Sequence, residues 1–113
     1  MFTRLTALTI ATTMLASSVS ADNLQTLMDT NKCIRCNFGL ADLSGINLTG
    51  ADLRSTNLAG ADLTDANLTQ TNLTGANLGG ADLTDANLGK ANMNGAILCN
   101  TIMPDESVLF SGC

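Results

Sequence analysis

The chain has 113 residues and a net charge of −5, with ten acidic against five basic side chains and no His, Trp or Tyr. That length makes one domain, and the acidic balance disfavours nucleic-acid binding, which needs a basic patch. With no His, and no Ser or Cys beside a base, the pairs that general acid–base and nucleophilic catalysis need are missing, so no enzyme activity is expected.

Residues 1–21 run from a positive start (Arg4) through an apolar stretch, Leu5 to Leu15, to the small residues Val19-Ser20-Ala21. This is the layout of a secretory signal peptide, with cleavage expected after Ala21. The apolar stretch falls short of the roughly 20 residues of a membrane span, so no membrane association is expected. Removal leaves Asp22 to Cys113 at −6: Lys32, Arg35, Arg54 and Lys90 against nine Asp and Glu106.

Residues 22–35 read as a cap. Asp22 is a candidate N-cap, and Leu24, Leu27 and Met28 fall at i, i+3 and i+4, one apolar stripe of a short helix ending near Asn31. Cys33 and Cys36 follow in C-x-x-C spacing. Thioredoxin-like redox chemistry needs a βαβ setting. Haem attachment needs a His at position 37, which is Asn. Zinc needs four ligands, and Cys99 and Cys113 lie more than sixty residues away. No cofactor or metal is therefore expected. In an exported chain the plain expectation is a structural disulfide at the junction of helix and body, although four Cys allow three pairings.

From residue 36 to 100 every fifth residue is large and apolar: Phe38, Leu43, Leu48, Leu53, Leu58, Leu63, Leu68, Leu73, Leu78, Leu83, Leu88, Met93 and Leu98. Asp or Asn precedes each except Leu98, and Ala stands two before in nine of the thirteen. A period of five is neither helical nor a strand alternation. Extended triplets separated by two-residue corners produce a coil. The octamer Ala61-Asp62-Leu63-Thr64-Asp65-Ala66-Asn67-Leu68 recurs as Ala81 to Leu88, twenty residues on.

This pattern resembles the pentapeptide-repeat family, and A-D-L-T-D-A-N-L at 61–68 is typical of its motif. The resemblance implies an all-β fold, a right-handed quadrilateral β-helix with one pentapeptide per face and four per coil, fronted here by the short N-terminal helix. Leu columns fill the interior, with Ala between them, so a large residue at Ala76 should overpack it at about 1–3 kcal/mol. Offsets of twenty place Asp42, Asp62 and Asp82 in one column, with Asp65 and Asp85 at its corners. That acidic face is a docking patch for a basic protein partner, a weak divalent-cation site, or simply a solvated face. Asn columns such as Asn37, Asn57 and Asn77 are expected to hydrogen-bond along the stack. Six corners end in Gly, and the others carry Leu, Ser, Asp, Gln, Lys or Asn, so not every corner need share one conformation.

Residues 101–113 read as a second cap. Pro104-Asp105 signals a turn, Val108-Leu109-Phe110 is placed to cover the last coil, and a Cys99–Cys113 bridge would pin the tail, worth about 3 kcal/mol for such a loop in the entropic model. T-N-x-C-x-x-C before the coils and C-N-T-x-M-P-D after them are similar to the ends of exported members from photosynthetic bacteria. Those relatives usually carry Gly where this chain has Glu106. The resemblance implies export to a periplasm or thylakoid lumen and assigns no activity. The expected function is a non-catalytic interaction or structural module, monomeric. The alternatives are a thiol–disulfide protein using Cys33 and Cys36, and a DNA mimic that binds a topoisomerase, as some longer cytosolic members do.

Overall fold

The structure, a computed structural model, describes residues 21–113. The expected signal segment lies outside the described residues except for Ala21, which opens helix α1 (Ala21–Thr30). Asp22 therefore sits within the first turn and not at the N-cap, a place where the helix dipole favours a negative charge. Leu24 and Leu27 are buried, and Met28 packs against the same core. The helix ends because Asn31 turns left-handed (φ 58°) while its N–H still reaches the Leu27 carbonyl at 2.8 Å, a cap that Asn accepts more readily than most residues.

Beyond α1 the chain pairs with itself at a fixed offset. Lys32 bridges Asp52 in parallel, Asn37 bridges Asn57, and the series continues every five residues to Asp82 and Ile102, always twenty apart. Each junction carries two bonds. At Asn57-Leu58 the Leu58 N–H donates forward to the Asn77 carbonyl (2.7 Å) and the Asn57 N–H donates back to the Cys36 carbonyl (2.9 Å). We call each twenty-residue stretch a rung, and residues twenty apart a column. Leu43, Leu63 and Leu83 thus form one buried column, as do Phe38, Leu58 and Leu78.

The pairing starts at Lys32, ahead of the thirteen repeats, so Cys33 occupies a core slot of the first rung and is buried there. Regular strand occurs, among the described residues, only at the other end. There β1 (Leu98–Ile102) pairs antiparallel with β2 (Val108–Ser111), with a bulge between Cys99 and Thr101. Elsewhere each extended piece contributes one bridge before a corner interrupts it.

All these corners share one conformation despite the variety of their side chains. Every fifth residue from Arg35 to Asn100 has φ between 58° and 70°, including Leu40, Ser55, Asp65, Gln70, Asp85 and Lys90. The cause lies in the corner's own hydrogen bonding, helped by the ladder. Within each corner the Ala-slot N–H closes a turn, as from Ala41 to the Phe38 carbonyl (3.1 Å). The corner N–H itself then reaches the next rung, as from Leu40 to Ala59 (2.9 Å). The turn bond, present at every corner from Leu40 to Gly95, fixes φ at the value a type II turn requires; the ladder bond reinforces it except at Lys90 and Gly95, and the side chain must tolerate it.

Thr56, Thr71 and Thr101 replace Ala in its slot and are fully buried. Each hydroxyl donates to a carbonyl twenty-three residues back, at Cys33, Leu48 and Leu78, all at 2.7 Å. A buried hydroxyl without such an acceptor would cost about 1–3 kcal/mol.

Candidate interaction face

The outward Asp or Asn before each core residue has a local task. Its Oδ1 accepts the N–H of the residue two further on, at 3.0–3.1 Å in most pentapeptides, as at Asn47, Asp62 and Asn92. Where that residue is Ser or Thr, the hydroxyl donates to the same oxygen: Ser44 to Asp42 (2.6 Å), Thr64 to Asp62 (2.7 Å) and Thr84 to Asp82 (2.6 Å). Carboxylate and amide oxygens serve equally, which is why Asp and Asn alternate freely in this slot. The expected Asn–Asn bonding along columns occurs at Asn57 Nδ2 to Asn37 Oδ1 (3.0 Å). That Asn37 oxygen also accepts its own corner N–H, from Gly39 at 3.0 Å, so it serves both bonds at once.

The structure brings Asp42, Asp62 and Asp82 together by successive bridges. Asp65 and Asp85 lie one rung apart at the adjoining corners, linked by the Asp65 N–H donating to the Thr84 carbonyl (2.9 Å). Hydroxyl and amide donors from Ser44 hold the Asp42 carboxyl below its ordinary range, and Thr84 does the same for Asp82. Asp42 and Asp82 therefore stay ionised in mildly acidic solution. Asp105 extends it, because the Asp85 N–H reaches the Pro104 carbonyl (3.3 Å) and Asp105 follows the corner column one rung on. The twenty-residue offset from Asp85 was the signal for this residue. Among the described residues no group of three or more acidic, Cys or His side chains converges to hold a metal ion.

Basic charge lies two pentapeptides further around. Arg54 makes a paired contact with Asp52 (2.7 and 2.8 Å), which lowers the Asp52 pKa, and the charge of Lys32, its backbone neighbour across the ladder, adds to the lowering. The four cysteines are joined as Cys33–Cys36 and Cys99–Cys113. Cys33 is buried in its core slot, and its sulfur lies 3.5 Å from the Asn23 carbonyl of α1.

The family model for pentapeptide repeats matches residues 32–70 and 66–103, in eight copies. The chain is a pentapeptide repeat protein. Pentapeptide repeat proteins fold as right-handed β-helices and are in general non-catalytic. Among solved structures it is similar to a pentapeptide repeat protein of Nostoc Pcc 7120, at 33% identity over 74% of this chain and 78% of that one, with a TM-score of 0.45. HetL, from Nostoc sp. strain PCC 7120 and involved in heterocyst differentiation regulation, matches at 30% identity over 69% of this chain and 43% of its own, TM-score 0.33. A pentapeptide repeat protein of the Arabidopsis thaliana thylakoid lumen matches at 29% over 62% and 56%, TM-score 0.32. This chain thus spans well under two thirds of the latter two. No curated protein matches it significantly.

Proposed function

We propose that this pentapeptide repeat protein is an exported, non-catalytic interaction module. Its rungs wind as a right-handed four-sided β-helix, and its acidic face docks a basic protein. The observation that carries this reading is the regular spacing of the outward carboxylates. Asp42, Asp62 and Asp82 stand on successive rungs, each tied to its own corner, while Leu and Ala fill the interior behind them. Strands in adjacent rungs lie ~4.8 Å apart, so the face presents charge at a fixed repeat, which complements a basic segment and steers its approach.

Export is supported by the two disulfides, which persist in oxidising compartments. The signal-like residues 1–21 and the thylakoid-lumen origin of one relative point the same way. The periplasm or a thylakoid lumen is the compartment proposed. The bridges are read as staples and not as a redox centre, because Cys33 is buried in the core.

The test is capture from an exported fraction on immobilised protein, beside an Asp62→Asn/Asp82→Asn variant. Asn preserves the corner bond and removes the charge. A basic protein retained by the parent, released by salt and lost with the variant supports the proposal. Equal capture by both proteins refutes the acidic face as the docking surface.

A further inference from the structure

On the four-sided winding proposed above, on which this inference rests, the ladder has four flanks, and one of them carries no charge. Its pentapeptides, at 36–40, 56–60, 76–80 and 96–100, stack through the bridges Asn37–Asn57, Asn57–Asn77 and Asn77–Ile97, and none holds an acidic or basic side chain. The pentapeptides before them, at 31–35 and 51–55, hold Lys32, Arg35 and Arg54. Those after them, at 41–45, 61–65 and 81–85, hold the Asp columns. The neutral flank is thus bordered by base on one side and by acid on the other. Exposed apolar side chains gather at the same borders. Ile34 (45% exposed) stands on the basic one, and Leu40 (71%) and Phe110 (68%) on the acidic one, Phe110 through its pairing with Cys99. The opposite flank, at 46–50, 66–70 and 86–90, has no exposed large apolar side chain. Leu40 is also the one apolar non-Gly residue at a left-handed corner among the described residues, in a column continued by Gly60 and Gly80. Strain of this kind marks a place where something beyond the corner rewards the side chain.

We infer that the neutral flank is a contact surface for a second copy of the chain, side by side, with the two ladders parallel about a twofold axis along their length. Charge chooses that axis. It sets the basic border of one copy beside the acidic border of the other at the same rung, so that Arg35 meets Asp42 and Arg54 meets Asp62, each pair occurring twice. Leu40 then meets Ile34. Antiparallel ladders would set acid against acid. Arg54 uses Nε and Nη2 on Asp52, which leaves Nη1 for the other copy. Where the other flanks mostly carry Ser or Thr two residues after the outward Asp or Asn, this one carries Gly39, Ala59 and Gly79, so a second backbone can come close. The contact is isologous and closes at two copies. Asp65 and Asp85 lie on the far corner of the acidic flank and remain open to a basic partner. Four rungs at ~4.8 Å and five residues at ~3.3 Å give the flank roughly 300 Å² per copy. That is well below the roughly 800 Å² per partner of a standard interface, so the dimer is transient.

Sedimentation velocity on the purified protein from about 10 μM to about 1 mM spans the affinity of such a contact. The expected result is a monomer–dimer equilibrium that weakens as salt rises from about 0.05 M to about 0.5 M, since screening removes the attraction between the borders. Leu40→Lys should weaken the dimer at least tenfold, because it replaces the apolar contact and sets a cation against Arg35. Gln70→Lys adds the same charge at the same kind of corner on the opposite flank and should leave the dimer unchanged. Lys90 already holds that corner conformation (φ 58°), so both variants are compatible with the fold. Intrachain nuclear Overhauser contacts between residues twenty apart, such as Leu58 and Leu78, report the winding in monomer and dimer alike. Their absence would overturn the winding and the flank with it. With those contacts present, a monomer throughout the range, a dimer that salt tightens, or a dimer that responds equally to both variants overturns the inference alone.

Discussion

Helix α1 and strand β2 both finish the ladder, and they answer different halves of one physical problem. The end of a stacked coil exposes an apolar cross-section and a row of unpaired backbone groups. α1 brings Leu24 and Leu27 over the first rung and buries the core beneath it. It gives the backbone edge little, a 3.5 Å contact from Asn23 Nδ2 to the Asn37 carbonyl: among the described residues the N–H groups of Asp42 and Asn47 have no backbone acceptor, although Asp62 and Asn67 each donate across the ladder. β2 does the reverse. It satisfies the edge of Leu98–Ile102 by strand pairing, while its own four residues stay exposed and the core beside it is half covered. A helix can seal a core because its backbone is already satisfied, and a strand can seal an edge because its backbone is not.

Substitution should expose that difference first. Leu27→Ala removes a buried side chain from the sealed end, with an expected cost of about 2–5 kcal/mol. Met93→Ala, at the open end, should cost clearly less, because part of that side chain already meets solvent. Chemical denaturation of both variants checks the ordering, and equal losses would mean the two ends are equally packed. The staples come next. Replacing Cys99 and Cys113 by Ser opens a loop of sequence separation 14. The entropic model assigns that about 3 kcal/mol, against about 2 for the shorter Cys33–Cys36 loop. A smaller loss at Cys99 than at Cys33 would show that the tail hairpin holds without its bridge.

Much of this was legible in the sequence because the repeat states its own geometry. The period of five gave the core residues, and the twenty-residue octamer repeat gave the columns Leu43-Leu63-Leu83 and Asp42-Asp62-Asp82 that the bridges display. The ends were less legible, since no repetition reinforces them. Val108-Leu109-Phe110 is apolar and was expected to cover the last coil, yet it pairs through its backbone and leaves its side chains out. Apolar character alone does not distinguish a strand that packs from one that only hydrogen-bonds. The corners were less legible for another reason. Side-chain variety left room for more than one conformation, but the turn bond closed at each corner from Leu40 to Gly95 overrides residue preference.

That override has a local cost, which gives the next prediction. Leu40 holds φ 61° with 71% of its surface exposed, and its side chain fills the space a Cβ on Gly60 would need, 2.6 Å from the Leu40 Cδ2. Glu106 in the tail turn holds φ 69°. Leu40→Gly near the sealed end and Glu106→Gly at the open one should each stabilise by about 1 kcal/mol, by relieving a left-handed non-Gly residue. Thermal melts decide it. A lowered melting point for Leu40→Gly would mean that its packing over Gly60 outweighs the strain.

The smallest effect concerns acid, and it compares the two ends through the same bond. Ser44 donates from its hydroxyl and its N–H to Asp42 near the first rung, and Ser107 does the same to Asp105 in the tail turn (2.6 and 3.0 Å). Both carboxyls are thereby held below their ordinary value. A lowered native pKa means that the unfolded chain binds protons first, so this stability is fully present above the unfolded value. It is lost as pH falls through the lower native value, below about pH 4. Asn accepts the same bonds at Asn47 and Asn67 without titrating. Asp42→Asn and Asp105→Asn should therefore melt much as the parent does at pH 7 and lose less on acidification. At Asp105 the readout can be made specific to the tail: amide exchange in β2 should quicken in acid for the parent and less so for the Asn variant. If exchange in β2 does not respond to pH in either protein, the turn is held by the Cys99–Cys113 bridge and the Met103–Ser107 backbone bond, and not by its carboxylate.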